Sequence, residues 1–268
     1  AEQLYTELIE EYRTPIAAKS QGSRQFLARV YNYRGCVRVE MDKLSEAVND
    51  FSTALNLTPD DDTIWKNRAF AFQNIGDKIL FEGGEPHEIV PDSVATAARQ
   101  LYGTALNDIE HAIVLNPNSA ENFVSRGDTL VFLGKAKQAL GNYRRAYRMS
   151  PGPYTAMKLA LCQVQTGDVN AAFASMEAMY DREPYIPELN MIMSALNWRI
   201  GNIQESKELF EYAVSMEPDL IEEDYLCFSL RWPPVMLFMV NNVREALENQ
   251  DNTTGNMGTI GKLQGMEL

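Results

Sequence analysis

Cysteine and histidine are scarce in this 268-residue chain. Cys36, Cys162 and Cys227 lie far apart and odd in number, and the histidines are His87 and His111 alone. That excludes a disulfide framework. With no C-x-x-C pair, the Cys/His set is also too small for a zinc site. Long apolar runs are missing too. The strongest candidate, Val235-Met236-Leu237-Phe238-Met239-Val240, follows Arg231 and Pro233-Pro234, and a membrane-spanning helix needs about 20 apolar residues. Positive charge is in deficit, with 24 Lys plus Arg against 37 Asp plus Glu and a net charge of -13. Phosphates are repelled by such a chain, no basic stripe is evident to release counterions, and nucleic acid is excluded as a partner. Charge alone does not hold it on an anionic lipid surface either.

Catalytic patterns are equally sparse. There is no Gly-x-Ser-x-Gly elbow, HExxH pair or EF-hand loop. Gly261-Lys262 has Asn256 where a P-loop needs glycine, and Leu263 where Ser or Thr must hold magnesium. Both histidines read as structural, no cofactor or metal is expected, and an enzyme is the remote alternative. No signal or transit segment is visible. The chain starts at Ala1 rather than Met, as a processed or trimmed product would. What is present is an ordinary globular composition, 45% hydrophobic and 23% charged, which excludes a fully disordered chain.

The order in the sequence is a repeat. Pro59, Pro117, Pro151, Pro184 and Pro218 are separated by 58, 34, 33 and 34 residues. The first gap is one period of 34 with 24 residues added. Each proline follows the same spacing of apolar or small residues: Ala47, Phe51, Ala54; Ala105, Ile109, Ala112; Ala139, Tyr143, Ala146; Ala172, Met176, Met179; Ser206, Phe210, Ala213. Steps of four and three share one helical face, the small residue admits a neighbouring helix, and the proline ends the helix. Upstream of each lies a second helix, from Tyr31 to Gly35, Trp65 to Ala69, Phe123 to Gly127, Ala156 to Ala160 and Asn190 to Ser194. Gly76, Gly134, Gly167 and Gly201, with Asp42 in the first copy, are expected at the turns between helices as left-handed C-caps.

Five such units in phase resemble the tetratricopeptide repeat (TPR) family over about Ala28 to Pro218. The resemblance implies an all-α fold, a right-handed superhelical solenoid of about five helical hairpins. The expected organisation is N-terminal capping helices over 1–27, repeats at about 28–61, 62–118, 119–152, 153–185 and 186–219, a C-terminal cap over 219–248, and an extended tail over 249–268. The 24-residue excess, at 78–101 in the second repeat, reads as a loop around Glu82-Gly83-Gly84-Glu85-Pro86-His87 followed by an N-terminal helix extension capped by Asp92 or Ser93. It is either a contact arm or a tolerated insertion.

In this family the first helix of each pair lines the inner, concave face and binds protein partners. The resemblance places there Arg29, Asn32, Tyr33 and Cys36; Lys66, Asn67 and Phe70; Glu121, Ser125 and Asp128; Met157, Lys158 and Leu161; and Met191, Ile192 and Trp198. TPR domains of chaperone adaptors grip a C-terminal carboxylate with a Lys/Asn/Arg set on this wall. Here Asn32 and Cys36 replace a lysine and an asparagine, Asn67 fits, and Glu121 and Ser125 replace two basic residues. Glu121 would repel a carboxylate, so capture of a chaperone tail is not expected. Met157, Leu161, Met191, Ile192 and Trp198 form an apolar strip suited to a partner helix or extended segment, or to the chain's own segment 226–240.

Towards the C-terminus, Ala195-Leu196-Asn197-Trp198-Arg199-Ile200-Gly201 and Leu230-Arg231-Trp232-Pro233-Pro234 look like the end of cyanobacterial and plastid TPR proteins with an R-W-P-P element. That resemblance implies a plastid location, thylakoid lumen or stroma, and a photosynthetic membrane complex as partner. A cytoplasmic location is the alternative. The function expected is a non-catalytic protein-interaction scaffold, with a permanent subunit of a large complex as the alternative.

Overall fold

Small residues decide how closely the helices pair. The computed structural model describes residues 1–12, 20–82 and 91–263, all-α with no strand among them. Helices α1 (Glu2–Tyr12), α2 (Gln21–Glu40), α3 (Leu44–Leu57), α4 (Asp62–Glu82), α5 (Asp92–Leu115), α6 (Ala120–Phe132) and α7 (Ala136–Met149) belong to one compact unit, Ala1–Met149. Helices α8 (Pro153–Gln165), α9 (Val169–Tyr180), α10 (Pro187–Ile200), α11 (Ile203–Met216) and α12 (Pro234–Leu263) belong to a second, Ser150–Leu268.

The antiparallel hairpins are α2–α3, α4–α5 and α6–α7 in the first unit, and α8–α9 and α10–α11 in the second. Their seams are made by the residues that carry the repeat. Ala47, Ala54, Ala105, Ala112, Ala139, Ala146, Ala172 and Ala213 are fully buried, as are Ile109 and Met176, and Phe51 and Tyr143 are nearly so. Gly35 and Gly127 let aromatic rings lie directly on the partner helix. A Cβ at Gly35 would sit 2.6 Å from Phe51 Cε1, and one at Gly127 2.6 Å from Tyr143 Cε1. Burying such a ring contributes about 1.5–3 kcal/mol relative to leaving it in water, and only glycine admits this approach.

The turns follow expectation at four places. Gly134, Gly167 and Gly201 have φ of 71°, 89° and 93°, and Asp42 takes φ 58°. Gly201 caps α10, its N–H bonded to Trp198 O at 3.1 Å. Polar N-caps start three of the helices: Ser20, Ser119 and Asp168 each accept the N–H three residues on.

Gly76 is a correction. It is not at a turn but inside α4, which continues to Glu82. The added residues lengthen both helices of the second hairpin instead of interrupting it. Seven residues beyond the Ala69 and Ile109 contact, Gly76 meets Tyr102, where a Cβ would lie 2.7 Å from Tyr102 Cε1. Seven residues is two helical turns on each helix, so the longer hairpin repeats its own seam one heptad further out. The Tyr102 hydroxyl donates to Asp77 at 2.7 Å, as Tyr143 does to Asp128 at 2.7 Å. The same Gly-Asp and Tyr set thus occurs twice.

Pro91, not Asp92 or Ser93, is the N-cap of α5, and Asp92 is its first residue. Proline's fixed φ sets the entry, and the Asp92 charge meets the helix N-terminus from inside. The expected loop at 83–90 lies outside the described residues. The expected tail is corrected as well: α12 runs on through 249–263 to Leu263. Once its packed N-terminal half has formed, each further residue adds a backbone hydrogen bond without a new nucleus.

After α11 the chain makes a 3-10 turn, Pro218–Ile221, and a π-helical turn, Tyr225–Ser229. Arg231 then takes φ 55°. This reversal tucks Trp232 into the unit, 5% exposed, with its backbone N–H on Leu226 O at 2.9 Å. Helix α12 follows and packs on α8, α10 and α11.

Candidate docking surface

In the first unit the first helices α2, α4 and α6 lie side by side, so residues one repeat apart become neighbours. Asn67 on α4 donates its Nδ2 to Asn32 Oδ1 at 3.0 Å and to Cys36 Sγ at 3.5 Å, both on α2. Lys66, also on α4, reaches Glu121 of α6 at 2.6 Å. Asn32 and Lys66 occupy the same place in successive repeats, as do Tyr33 and Asn67, so a face expected from one-helix spacing becomes a continuous polar band across three helices.

Exposed aromatics flank this band. Tyr33 is 51% exposed and Phe70 is 47% exposed. Tyr33 faces Tyr5 of α1, ring centroids 6.1 Å apart, so α1 borders the surface. Arg29 is exposed, Ser125 is half-buried and Glu121 is exposed. Burial, and then the nearby Glu40 charge, push the Cys36 thiol above its ordinary pKa. Asp128 is half-buried and accepts the Tyr143 hydroxyl from its own hairpin partner.

Rings that are large, rigid and half in water, set beside an amide that can bond a peptide backbone, suit an extended or helical polypeptide. Among the described residues no group of three or more His, Cys, Asp or Glu is placed to hold a metal ion, and no helix is long and apolar enough to cross a membrane.

The apolar strip of the second unit is placed differently. Leu161, Met191 and Ile192 are buried, and Met157, Lys158 and Trp198 are half-buried. Helix α12 lies on α8 and α10 and brings Met236, Met239, Val240 and Val243, all buried. Methionines on both sides fill the irregular gap. Leu161 and Met191, buried in the unit that α12 completes, leave the candidate surface, and so does the Asn32 side chain, which is buried where it accepts from Asn67.

Three features were missed in sequence. One is the Lys66–Glu121 pair. The others are the Arg34–Asp50 and Arg68–Asp108 forks, which tie first to second helices behind the surface. The forks have a signal: an arginine directly before the small residue of the first helix, and an aspartate directly before Phe51 or Ile109.

No family model matches the sequence, and no curated relative does. Solved structures match in fold. The pilF protein of Pseudomonas aeruginosa is 12% identical with TM-score 0.62, covering 91% of this chain and 95% of its own. YrrB, described as a TPR protein with an unusual peptide-binding site, is 17% identical with TM-score 0.51, covering 82% and 96%. A thermophilic TPR protein of Thermus thermophilus is 15% identical with TM-score 0.51, covering 74% and 100%. The chain thus has the fold of TPR proteins, an all-α array of stacked helical hairpins.

Proposed function

We propose that this chain is a TPR-family scaffold with no catalytic role, which holds a protein partner on the faces of α2, α4 and α6. The observation that carries this is the band on α2, α4 and α6, in which buried Asn32 holds Asn67 and Lys66 reaches Glu121, between exposed Tyr33 and Phe70. Such an arrangement offers apolar anchors for side chains and an amide for the partner backbone. The peptide site named for YrrB adds support by analogy of fold.

The finer reading is that the partner belongs to a photosynthetic membrane complex, in the thylakoid lumen or stroma of a plastid. Its support is the resemblance carried by Ala195 to Gly201 and by Leu230 to Pro234 with its R-W-P-P element. A permanent subunit of such a complex, and a cytoplasmic location, stand as the alternatives.

Selection of a phage-displayed random peptide library on the full chain tests the surface. Enriched peptides should bind the wild type and lose affinity to Lys66→Ala/Asn67→Ala and to Phe70→Ala, with helicity unchanged. Peptides that bind all three proteins equally would refute the assignment.

A further inference from the structure

The chain is acidic, but not evenly. Residues 1–149 carry 17 Lys plus Arg against 20 Asp plus Glu, net -3, and residues 150–268 carry 7 against 17, net -10. Around α7 the deficit reverses locally. Between Asp128 and Asp168 there is no carboxylate, while Lys135, Lys137, Arg144, Arg145, Arg148 and Lys158 all fall there. Five of these six lie on α7 or directly before it, so the expectation that the chain has no basic stripe fails at this helix.

Helix α7 buries Ala139, Tyr143 and Ala146 and turns its other face to water. Lys137, Arg144 and Arg148 are exposed. They stand seven and then four residues apart, which puts them on one stripe. Arg145 is engaged otherwise, 4.0 Å above the Phe123 ring. Among the described residues none of Lys137, Arg144 and Arg148 forms an ion pair or hydrogen bond. Three unpaired cations on one face repel one another and attract an anionic surface.

Such a surface exists on the same chain. From Glu205 to Asp224 there are eight carboxylates and a single cation, Lys207. Lys207 is half-buried, its Nζ on Ala246 O at 3.5 Å. Glu205, Glu208 and Glu211 are exposed along α11 and make no ion pair among the described residues; Glu208 accepts only Gln204 at 2.7 Å. Beside them stand Tyr212 and Met216, each 41% exposed. Aromatic and methionine anchors rimmed by one sign of charge are the composition of an interface rather than of ordinary surface. Both helices are the second of their hairpin and both have 14 residues. Arg144 in one repeat stands at the place of Glu211 in the other, so this one outward position is cationic on α7 and anionic on α11.

We propose that α7 of one chain docks on α11 of a second copy, head to tail, with Lys137, Arg144 and Arg148 against Glu205, Glu208 and Glu211 and with Tyr212 beneath an arginine. The two surfaces differ, so a pair joined by one such contact still offers a free α11 on one copy and a free α7 on the other, and further copies add at those ends. Exposed ion pairs are individually weak, so the assembly depends on protein concentration and on salt.

Sedimentation velocity of the full chain tests this. At about 0.01 M salt, where the Debye length is about 30 Å, the mean mass should rise with concentration above that of the monomer. At about 1 M, where it is about 3 Å, only monomer should remain. The triple variants Lys137→Glu/Arg144→Glu/Arg148→Glu and Glu205→Lys/Glu208→Lys/Glu211→Lys, each checked for unchanged helicity, should be monomeric alone. Mixed, they should associate again, because each now supplies the charge the other lost. A wild type that stays monomeric at low salt overturns the proposal. So does a mixture that fails to associate, or a cationic-stripe variant that assembles like the wild type. Monomeric wild type that instead binds anionic lipid vesicles through α7 would also overturn it and assign the stripe to a membrane surface.

Discussion

Arg68 grips Asp108 with a two-point fork, Nε to Oδ2 at 2.7 Å and Nη2 to Oδ1 at 2.8 Å. The Asp108 side chain is 5% exposed, so without the guanidinium it would be a buried carboxylate with no counter-charge. Arg34 makes the same fork to Asp50 at 2.9 and 2.6 Å. The third hairpin lacks it, because Asn142 stands where the aspartate would be. There Arg126 turns back to the exposed Glu110 at 2.9 Å, and its Nε is buried without a partner.

This gives a graded prediction. Arg68→Met leaves Asp108 buried and unpaired and should cost about 3–5 kcal/mol. Arg126→Met loses only an exposed pair and should cost less than about 1 kcal/mol. Urea unfolding of both variants measures the difference, and equal costs would contradict the fork's role.

The glycines separate close approach from helix propensity. Gly76→Ala and Gly127→Ala push a Cβ into tyrosine rings held by Asp77 and Asp128, and each should lower stability by about 1–3 kcal/mol. Gly103 lies inside α5 with open space around it, so Gly103→Ala should raise stability by about 0.5–1 kcal/mol. Thermal melts that rank the three alike would contradict the packing described.

Gly201 tests the turn. Its φ of 93° lies in the left-handed region although nothing crowds the position. Gly201→Ala should therefore cost about 1–2 kcal/mol through backbone strain alone, read by urea unfolding. A neutral result would place the residue in an ordinary conformation.

Helix α1 should respond to acid. Lys43 and Arg38 hydrogen-bond Glu2 and hold its carboxyl below the ordinary range. The ionised form is thus favoured in the docked state. That contribution is present above the ordinary glutamate value of about 4.3 and is lost as pH falls through the lowered one. Amide-exchange protection over residues 2–12, corrected for intrinsic rates, should drop across that window in the wild type and lose this dependence in Glu2→Gln. An unchanged profile in the variant would show that the ion pairs do not hold α1.

How much of this was legible depended on whether a residue's neighbour lay at a fixed spacing. Ala47, Phe51 and Ala54 and their counterparts carried the hairpins, because helix periodicity links sequence to face directly. Gly134, Gly167 and Gly201 were legible as turns for the same reason. Gly76 was not: its role was set by Tyr102, across a hairpin whose length the period of 34 does not encode. That Asn67 and Lys66 stand side by side on one helix was legible, whereas their partners on α2 and α6 were not. Leu161 and Met191 were misplaced because nothing in the local spacing says that α12 returns to cover α8 and α10. The charge reversal on α7 was hidden by a net charge that averages over the whole chain.

The central claim is that the band across α2, α4 and α6 is where a partner docks. Titration calorimetry of a peptide selected on the wild type measures it against Lys66→Ala/Asn67→Ala. The account predicts at least about tenfold weaker binding, about 1.4 kcal/mol, with the melting temperature unchanged. Equal affinity for the two proteins would contradict it.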